Sequence, residues 1–291
     1  MNGATMAVAL DLPAPDGTIR FAFTDGGGLD HVAALVAAHG LAGYEAPTPA
    51  VFAGVVRGGP VLVLDIGASS GLFTLLAAAA NPLARVVAFE PLGAARRALD
   101  ANIACNPELA HRILIAPFAL SSSRGVTAFF ETINDRGLIS TSSSLEQTHA
   151  MQVGPYVRHE VGAATLDDWM AMTAGGPIRL IMKIDAEGHE HAVVVGGRTT
   201  IARHRPLIFV EVLGGSQFGV LDAVLVEHRY YDFALALHEL RECPRVSFQP
   251  DAWNHLLCPI EQMHAVVTIC DRLGLRIADG RMHGSGEETR P

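Results

Sequence analysis

Val61-Leu62-Val63-Leu64-Asp65-Ile66-Gly67-Ala68-Ser69-Ser70-Gly71 is the stretch on which the fold turns. An unbroken apolar run ends in an acid, two glycines bracket a turn, and Leu72 to Ala80 continues as an apolar, helix-forming segment. Apolar continuity without alternation marks a strand buried on both faces. Glycine lets a backbone turn sharply and come close to a ligand, and a helix N-terminus leaves N–H groups without partners inside the helix. The reading is strand, turn and helix, with a ligand at the turn.

Outward from this unit the pattern repeats. Arg85 to Glu90 is a second apolar run ending in an acid, followed by a helical stretch from Ala94 to Cys105. Arg112 to Leu120, Leu180 to Asp185 and Leu207 to Val212 give a third, fourth and fifth strand region. Strands alternating with helices imply right-handed crossovers and a parallel sheet in an α/β fold. Between the third and fourth strands, residues 121–168 break the pattern; Val126 to Glu131 and Val157 to Ala163 are expected to pair as a hairpin insertion, around a polar stretch holding Ser140-Thr141-Ser142-Ser143-Ser144. Beyond Val212, Tyr230 to Leu237 and Leu256 to Cys258 read as strands and Glu261 to Leu273 as a helix. Residues 1–59, rich in Ala, Gly and Pro and broken by Asp25-Gly26-Gly27-Gly28, read as a lid or N-terminal appendage with one short helix from Asp30 to His39; 60–280 is the main domain and 281–291 a frayed tail.

Composition bounds the function. The chain has 291 residues, 49% apolar and 18% charged, enough to bury a substantial core. A net charge of -9 argues against a broad nucleic-acid footprint. Cys105, Cys243, Cys258 and Cys270 show no CxxC spacing, which reads as buried small hydrophobes in a reducing compartment. With no basic region before an apolar run at Met1 to Pro15, and no apolar stretch long enough to span a bilayer, the expectation is a cytoplasmic protein with no membrane partner. A homo-oligomer is left open.

Glu90 is the second element of the ligand site. A carboxylate at the end of the strand after a glycine turn accepts the ribose hydroxyls of an adenosine-containing ligand. The glycine spacing is G-x-x-x-G rather than the G-x-G-x-x-G of dinucleotide binding, and no Walker A loop occurs. The segments VLDIGASSGLFTLLA, VVAFEPLGAARRALDANIACN, LIMKIDAEGHEHAVVVGG and RPLIFVEV together resemble the FkbM family of methyltransferases over roughly residues 60–215. That resemblance implies a class I methyltransferase, Rossmann-like fold with a mainly parallel seven-stranded sheet and helices on both faces. It implies S-adenosylmethionine as donor and O-methylation of hydroxyls on sugars, polyketides or other natural products. By position it places Asp65, Gly67, Ala68 and Gly71 along the donor, Glu90 and Pro91 at its ribose and Ala119 beside its adenine. Glu45, after Tyr44, either folds over the donor near its ammonium or is a solvated loop acid.

A hydroxyl acceptor must be positioned and must lose a proton, to a base or with help from a metal. The ends of the fourth and fifth strands carry the candidates. Lys183, Asp185 and Glu187 fall on one side of an extended strand, and Glu211 ends the next strand. Lys183 with Asp185 or Glu187 is also readable as an ion pair; alternatively Asp185 and Glu211 are candidates to hold Mg²⁺. His189 is the nearest conventional base, preferred over His191, which cannot face the same point. No N-P-P-Y or D-P-P-Y tetrapeptide and no Pro-Cys pair occurs, which turns the reading from nucleobases toward a small-molecule or glycan acceptor. Two other classes stay open: an NAD(P)-dependent oxidoreductase, opposed by the missing third glycine, and a non-catalytic module that binds the donor without turnover.

Overall fold

The computed structural model describes residues 7–24, 30–133, 142–173 and 178–279. The Asp25-Gly26-Gly27-Gly28 run, Ser140 and Thr141, and the 281–291 tail lie outside the described residues. In chain order the elements are β1 (Ala7–Ala14), β2 (Gly17–Thr24), α1 (His31–His39), α2 (Thr48–Val56), β3 (Val61–Ile66), α3 (Leu72–Ala80), β4 (Ala84–Phe89), α4 (Gly93–Ala104), α5 (Pro107–Ala110), β5 (Ile113–Ala116), β6 (Ala119–Leu120), β7 (Gly125–Thr132), α6 (Gln147–Val153) and β8 (Tyr156–Ala164). They continue as α7 (Leu166–Thr173), β9 (Leu180–Ile184), α8 (Glu190–Gly196), α9 (Arg198–His204), β10 (Leu207–Glu211), α10 (Phe218–His228), β11 (Tyr230–Ala236), β12 (Glu239–Cys243), β13 (Asn254–Pro259), α11 (Met263–Leu273) and β14 (Arg276–Asp279).

The central sheet has the order β14-β12-β11-β13-β10-β9-β3-β4-β5. Strands β5, β4, β3, β9 and β10 run parallel to one another, whereas β13 runs antiparallel to both β10 and β11, and β12 antiparallel to β11. The expectation of a mainly parallel, seven-stranded sheet is therefore corrected to a mixed, nine-stranded α/β sheet among the described residues. The extra strands β12 and β14 are short, half-charged segments (ELREC and RIAD), with β14 at the sheet edge and β12 between it and β11. They lack the apolar continuity that reveals a buried strand.

Alternation along the central strands divides the core in two. Val63, Ile181 and Phe209 pack on one face with Phe52 of α2, Leu75 of α3 and Val266 of α11. Their neighbours Leu64, Met182 and Ile208 pack on the other with Trp169 of α7, Val193 of α8 and Leu221 of α10. Period-2 side-chain direction makes a continuous apolar run serve both faces at once.

Arg112 to Leu120 does not form one strand. Ile113–Ala116 closes the edge of the main sheet, while Ala119–Leu120 joins a separate three-stranded sheet of order β6-β8-β7. There β7 and β8 pair antiparallel, but the segment between them contains α6, and the β6 pairing makes the unit more than a hairpin.

The N-terminal pair β1–β2 packs Leu10, Leu12, Ile19, Phe21 and Phe23 into the same core as α3. Two buried asparagines of α4 and its exit hold it in place. Asn106 accepts from Ala22 N–H at 2.7 Å and donates to the Ala22 carbonyl at 2.7 Å, while Asn102 accepts from Thr24 N–H at 2.7 Å and donates to the Ser70 carbonyl at 2.9 Å. Asn102 thus ties the appended strands to the glycine turn itself.

Candidate active site

A cavity of about 600 Å³ opens where β3, β4, β9 and β10 end. That volume is in the range of small-molecule and cofactor sites. Its walls include the glycine turn, Glu90, Pro91 and Ala119 on one side and Lys183, Asp185, Glu187 and Glu211 on the other.

The turn is built largely from its own hydrogen bonds. Gly67 and Ala68 N–H donate to the Phe89 carbonyl at 3.0 and 3.1 Å, Gly71 N–H to the Ala68 carbonyl at 2.8 Å, and Ser69 N–H to Glu90 Oε2 at 2.9 Å. Four amides that the sequence leaves available for a ligand are thus spent on the fold. The glycines are required by the protein as well: Gly67 has φ +81° and a Cβ there would run into the Asp185 carbonyl oxygen, while Gly71 has φ +91° and a Cβ there would run into Leu99. Gly67 brings the end of β3 against the end of β9, and so sets Asp185 beside the turn.

Glu90 is buried, and each carboxylate oxygen accepts one backbone N–H, from Ser69 at 2.9 Å and Leu92 at 2.7 Å. Burial pushes its pKa up to about 7 against those two hydrogen bonds. An ionised carboxylate has room for about four hydrogen bonds, so both oxygens keep acceptor capacity for ribose hydroxyls. Asp65 lies deeper; Thr74 Oγ1 donates to it at 2.6 Å, and burial, opposed by that bond and by Lys183, pushes its pKa up to about 6.

At the other end, Lys183 is 1% exposed and donates from Nζ to Asp185 Oδ2 at 3.0 Å, with the ammonium 5.1 Å from the Phe73 ring centre. Burial alone would lower its pKa; the surrounding Asp185, Glu45 and Glu211 outweigh burial and hold it above its ordinary value. Asp185, Glu187 and Glu211 each bring one oxygen within 4.8 Å of the others. Burial first, then the like charges of Asp185 and Glu187, push Glu211 well above the usual carboxylate range. Burial likewise pushes Glu187 up to about 7, opposed by His149, whose Nε2 lies 3.2 Å from its Oε2. Glu187 also has φ +52°, a strained conformation for a non-glycine residue. Glu190 caps the loop that carries it: Ala186 and Gly188 N–H both donate to Glu190 Oε1 at 3.0 Å.

The other candidates fall as follows. Glu45, half-buried, lines the cavity and accepts a hydrogen bond from Asn254 Nδ2 at 3.0 Å. His189 is outside the cavity wall, with Nδ1 2.6 Å from Glu146 Oε1 and Nε2 3.0 Å from Ser121 Oγ. Both ring nitrogens are engaged, so the preferred base of the sequence reading is placed as a brace between β9's loop and the smaller sheet. His191 contacts the Gly188 carbonyl at 3.3 Å. Tyr44, His149 and Trp253 also line the cavity. His149 and Trp253 come from α6 and the approach to β13, where nothing in the local sequence marks them.

Residues 65–243 match the methyltransferase FkbM domain. A 50-residue stretch, 17% of the chain, is 54% identical to part of the AMB antimetabolite synthetase AmbE of Pseudomonas aeruginosa, of which it covers 2%. Among solved structures, methyltransferase FkbM from Methylobacillus flagellatus KT shares 16% identity and a TM-score of 0.46, over 70% of this chain and 44% of that one. An O-methyltransferase from Bacillus cereus in complex with SAH shares 15% identity and a TM-score of 0.41, over 77% of this chain and 84% of that one. The chain thus spans less than half of the solved FkbM protein and a small fraction of the synthetase. The matched region begins at Asp65 and takes in the glycine turn, Glu90, the Lys183 to Glu190 segment and Glu211, so the chain belongs to the FkbM methyltransferase family.

Proposed function

We propose that the protein transfers a methyl group from S-adenosylmethionine to a hydroxyl oxygen of a small-molecule or glycan acceptor. The observation that carries this reading is one cavity with a nucleoside-type cradle at one end and a cluster of carboxylates around a buried lysine at the other. The donor, when bound, supplies a methyl group already activated on a sulfonium. Glu90 accepts its ribose hydroxyls, Ala119 and Pro91 flank the adenosine, and Glu45 and Tyr44 cover the donor from the α1–α2 segment. The protein's remaining tasks are to align the acceptor oxygen and to take its proton.

Glu187 suits the second task. Its pKa of about 7 makes it ionised in part at neutral pH, yet basic enough to accept a proton. Glu211, raised well above the usual carboxylate range by burial and by Asp185 and Glu187, sits beside Asp185 where it can hydrogen-bond the acceptor oxygen. Lys183 on Asp185 offsets the negative charge and fixes its carboxylate. The chain's net charge of -9 weighs against a nucleic-acid acceptor and toward a neutral hydroxyl compound.

A second reading places Mg²⁺ among Asp185, Glu187 and Glu211, an all-oxygen set of the kind that ion takes. Lys183, already paired with Asp185, offsets part of the charge that would draw it. Isothermal titration with S-adenosylmethionine tests the donor half: no binding overturns the reading. Product formation from a panel of hydroxylated acceptors, with and without chelator, tests the rest; chelator-insensitive turnover selects the carboxylate base, and loss restored by Mg²⁺ selects the metal.

A further inference from the structure

Strands β11, β12 and β13 carry a second cluster, away from the cavity. Asp232 pairs with Cys243 across β11 and β12, and Ala234 pairs with His255 across β11 and β13. Residues in register, or two apart on one strand, share a face, so Asp232, Cys243 and His255 all point to the same side of the sheet. One ligating atom from each lies within 4.8 Å of the other two. The side chains of Asp232 and His255 are fully buried, with Nδ1 2.8 and 3.1 Å from the two Asp232 oxygens. Cys243 is buried beside them, and the rest of that patch is Ala234, Ala236 and Ala252.

A carboxylate, an imidazole and a thiol meet here in an otherwise alanine-lined patch. Burying such groups is costly unless they are paired or bind a metal. Both Asp232 oxygens lie on His255 Nδ1, so an ion held by all three residues would sit at Nδ1, in place of that hydrogen bond.

We propose that Asp232, Cys243 and His255 form a zinc site that joins β11, β12 and β13. Thiolate, imidazole and carboxylate together are a borderline-soft donor set, which favours Zn²⁺ over Mg²⁺ or Ca²⁺. Three protein donors leave a fourth tetrahedral position for water. Binding takes the thiol proton into solvent as the sulfur–metal bond forms, with no change of oxidation state. A nucleophilic Cys–His–Asp triad acting on the acceptor does not fit, because none of the three residues lines the cavity. Away from the cavity, the metal would tie the three strands together. β13 presents His255 to this site and, one residue earlier, Asn254 to Glu45 at the donor cavity, so a fixed β13 holds that contact in place.

The test is titration of the chelator-treated full chain with Zn²⁺ and with Co²⁺ as its spectroscopic stand-in. The expected result is one metal per chain, a rise in melting temperature with Zn²⁺, and a near-ultraviolet thiolate-to-cobalt charge-transfer band. Cys243→Ala should abolish the band, Cys258→Ala should retain it, and S-adenosylmethionine binding to Cys243→Ala should persist. The wild-type titration is decisive even if Cys243→Ala does not fold: substoichiometric metal or no charge-transfer band overturns the site. A band that survives in folded Cys243→Ala overturns the assignment.

Discussion

Glu90 serves the fold and the ligand with the same two oxygens. Removing it strips the Ser69 and Leu92 amides of their acceptor as well as the ribose of its partner. Glu90→Ala is therefore expected to weaken S-adenosylmethionine at least about tenfold, since hydrogen bonds to a charged group contribute about 1.5–3 kcal/mol. It should also lower the melting temperature, because the two amides lose their partner. Calorimetric titration alongside a thermal melt separates the effects, and unchanged affinity would move the ribose elsewhere. Glu187 gives the sharper kinetic signature. A base with a raised pKa is ionised only above that value, so kcat should rise with pH through about 7 and level off above it. Glu187→Gln should cut kcat by about 10²-fold or more and remove that rising limb, with little change in donor affinity. A limb that persists in the variant assigns the proton to Asp185 or Glu211.

The strand ends and the turns between them decide what each residue does, and here the sequence was unevenly informative. Central strands β3, β4, β9 and β10 are legible because burial on both faces leaves an unbroken apolar run, and α3 because it starts at a glycine turn. The β1–β2 pair, α2 and the short strands β12 and β14 carry no such mark; the β1–β2 pair, for one, depends on Asn102 and Asn106, four residues apart on α4 and its exit, whose role no local pattern announces. Asp65, Glu90 and Glu211 could be placed because they end buried strands. The roles of Gly67 and His189 could not be, since each is defined by a contact distant in sequence. Gly67→Ala forces a Cβ against the Asp185 carbonyl, and is expected to lower thermal stability in donor-free protein before any question of ligand space arises. His189→Ala removes the link between Glu146 and Ser121 and should lower the melting temperature while leaving most of kcat. A loss of kcat by about 10²-fold in folded His189→Ala would restore it as the base.

Across the whole molecule, both ends of the cavity and their supports hold buried acids in a chain of net charge -9. Burial pushes Glu90, Glu187 and Glu190 up to about 7 and Asp65 up to about 6. In the unfolded chain these groups ionise at about 4. A carboxylate with a raised folded pKa binds its proton more tightly when folded, so its contribution to stability is complete below the unfolded value and is lost as pH rises through the folded one. The window is therefore from about 4 to about 7, with the whole group working in the same direction. Two groups oppose it less. Glu146, lowered by its hydrogen bond to His189, loses its contribution only in acid, and His191, lowered by burial, loses its own as pH falls toward and below its ordinary range. Donor-free protein is thus expected to melt several degrees higher near pH 5.5 than near pH 8, at about 2–4 °C for each kcal/mol. Ribose hydroxyls that donate to Glu90 favour its charged form, so saturation with S-adenosylhomocysteine should stabilise more at the higher pH and shrink that difference. Scanning calorimetry at both pH values, with and without ligand, reads both effects. Equal or higher melting near pH 8 in the free protein would show that these acids are ionised in the folded state, and would remove the basis for a proton-accepting carboxylate in the cavity.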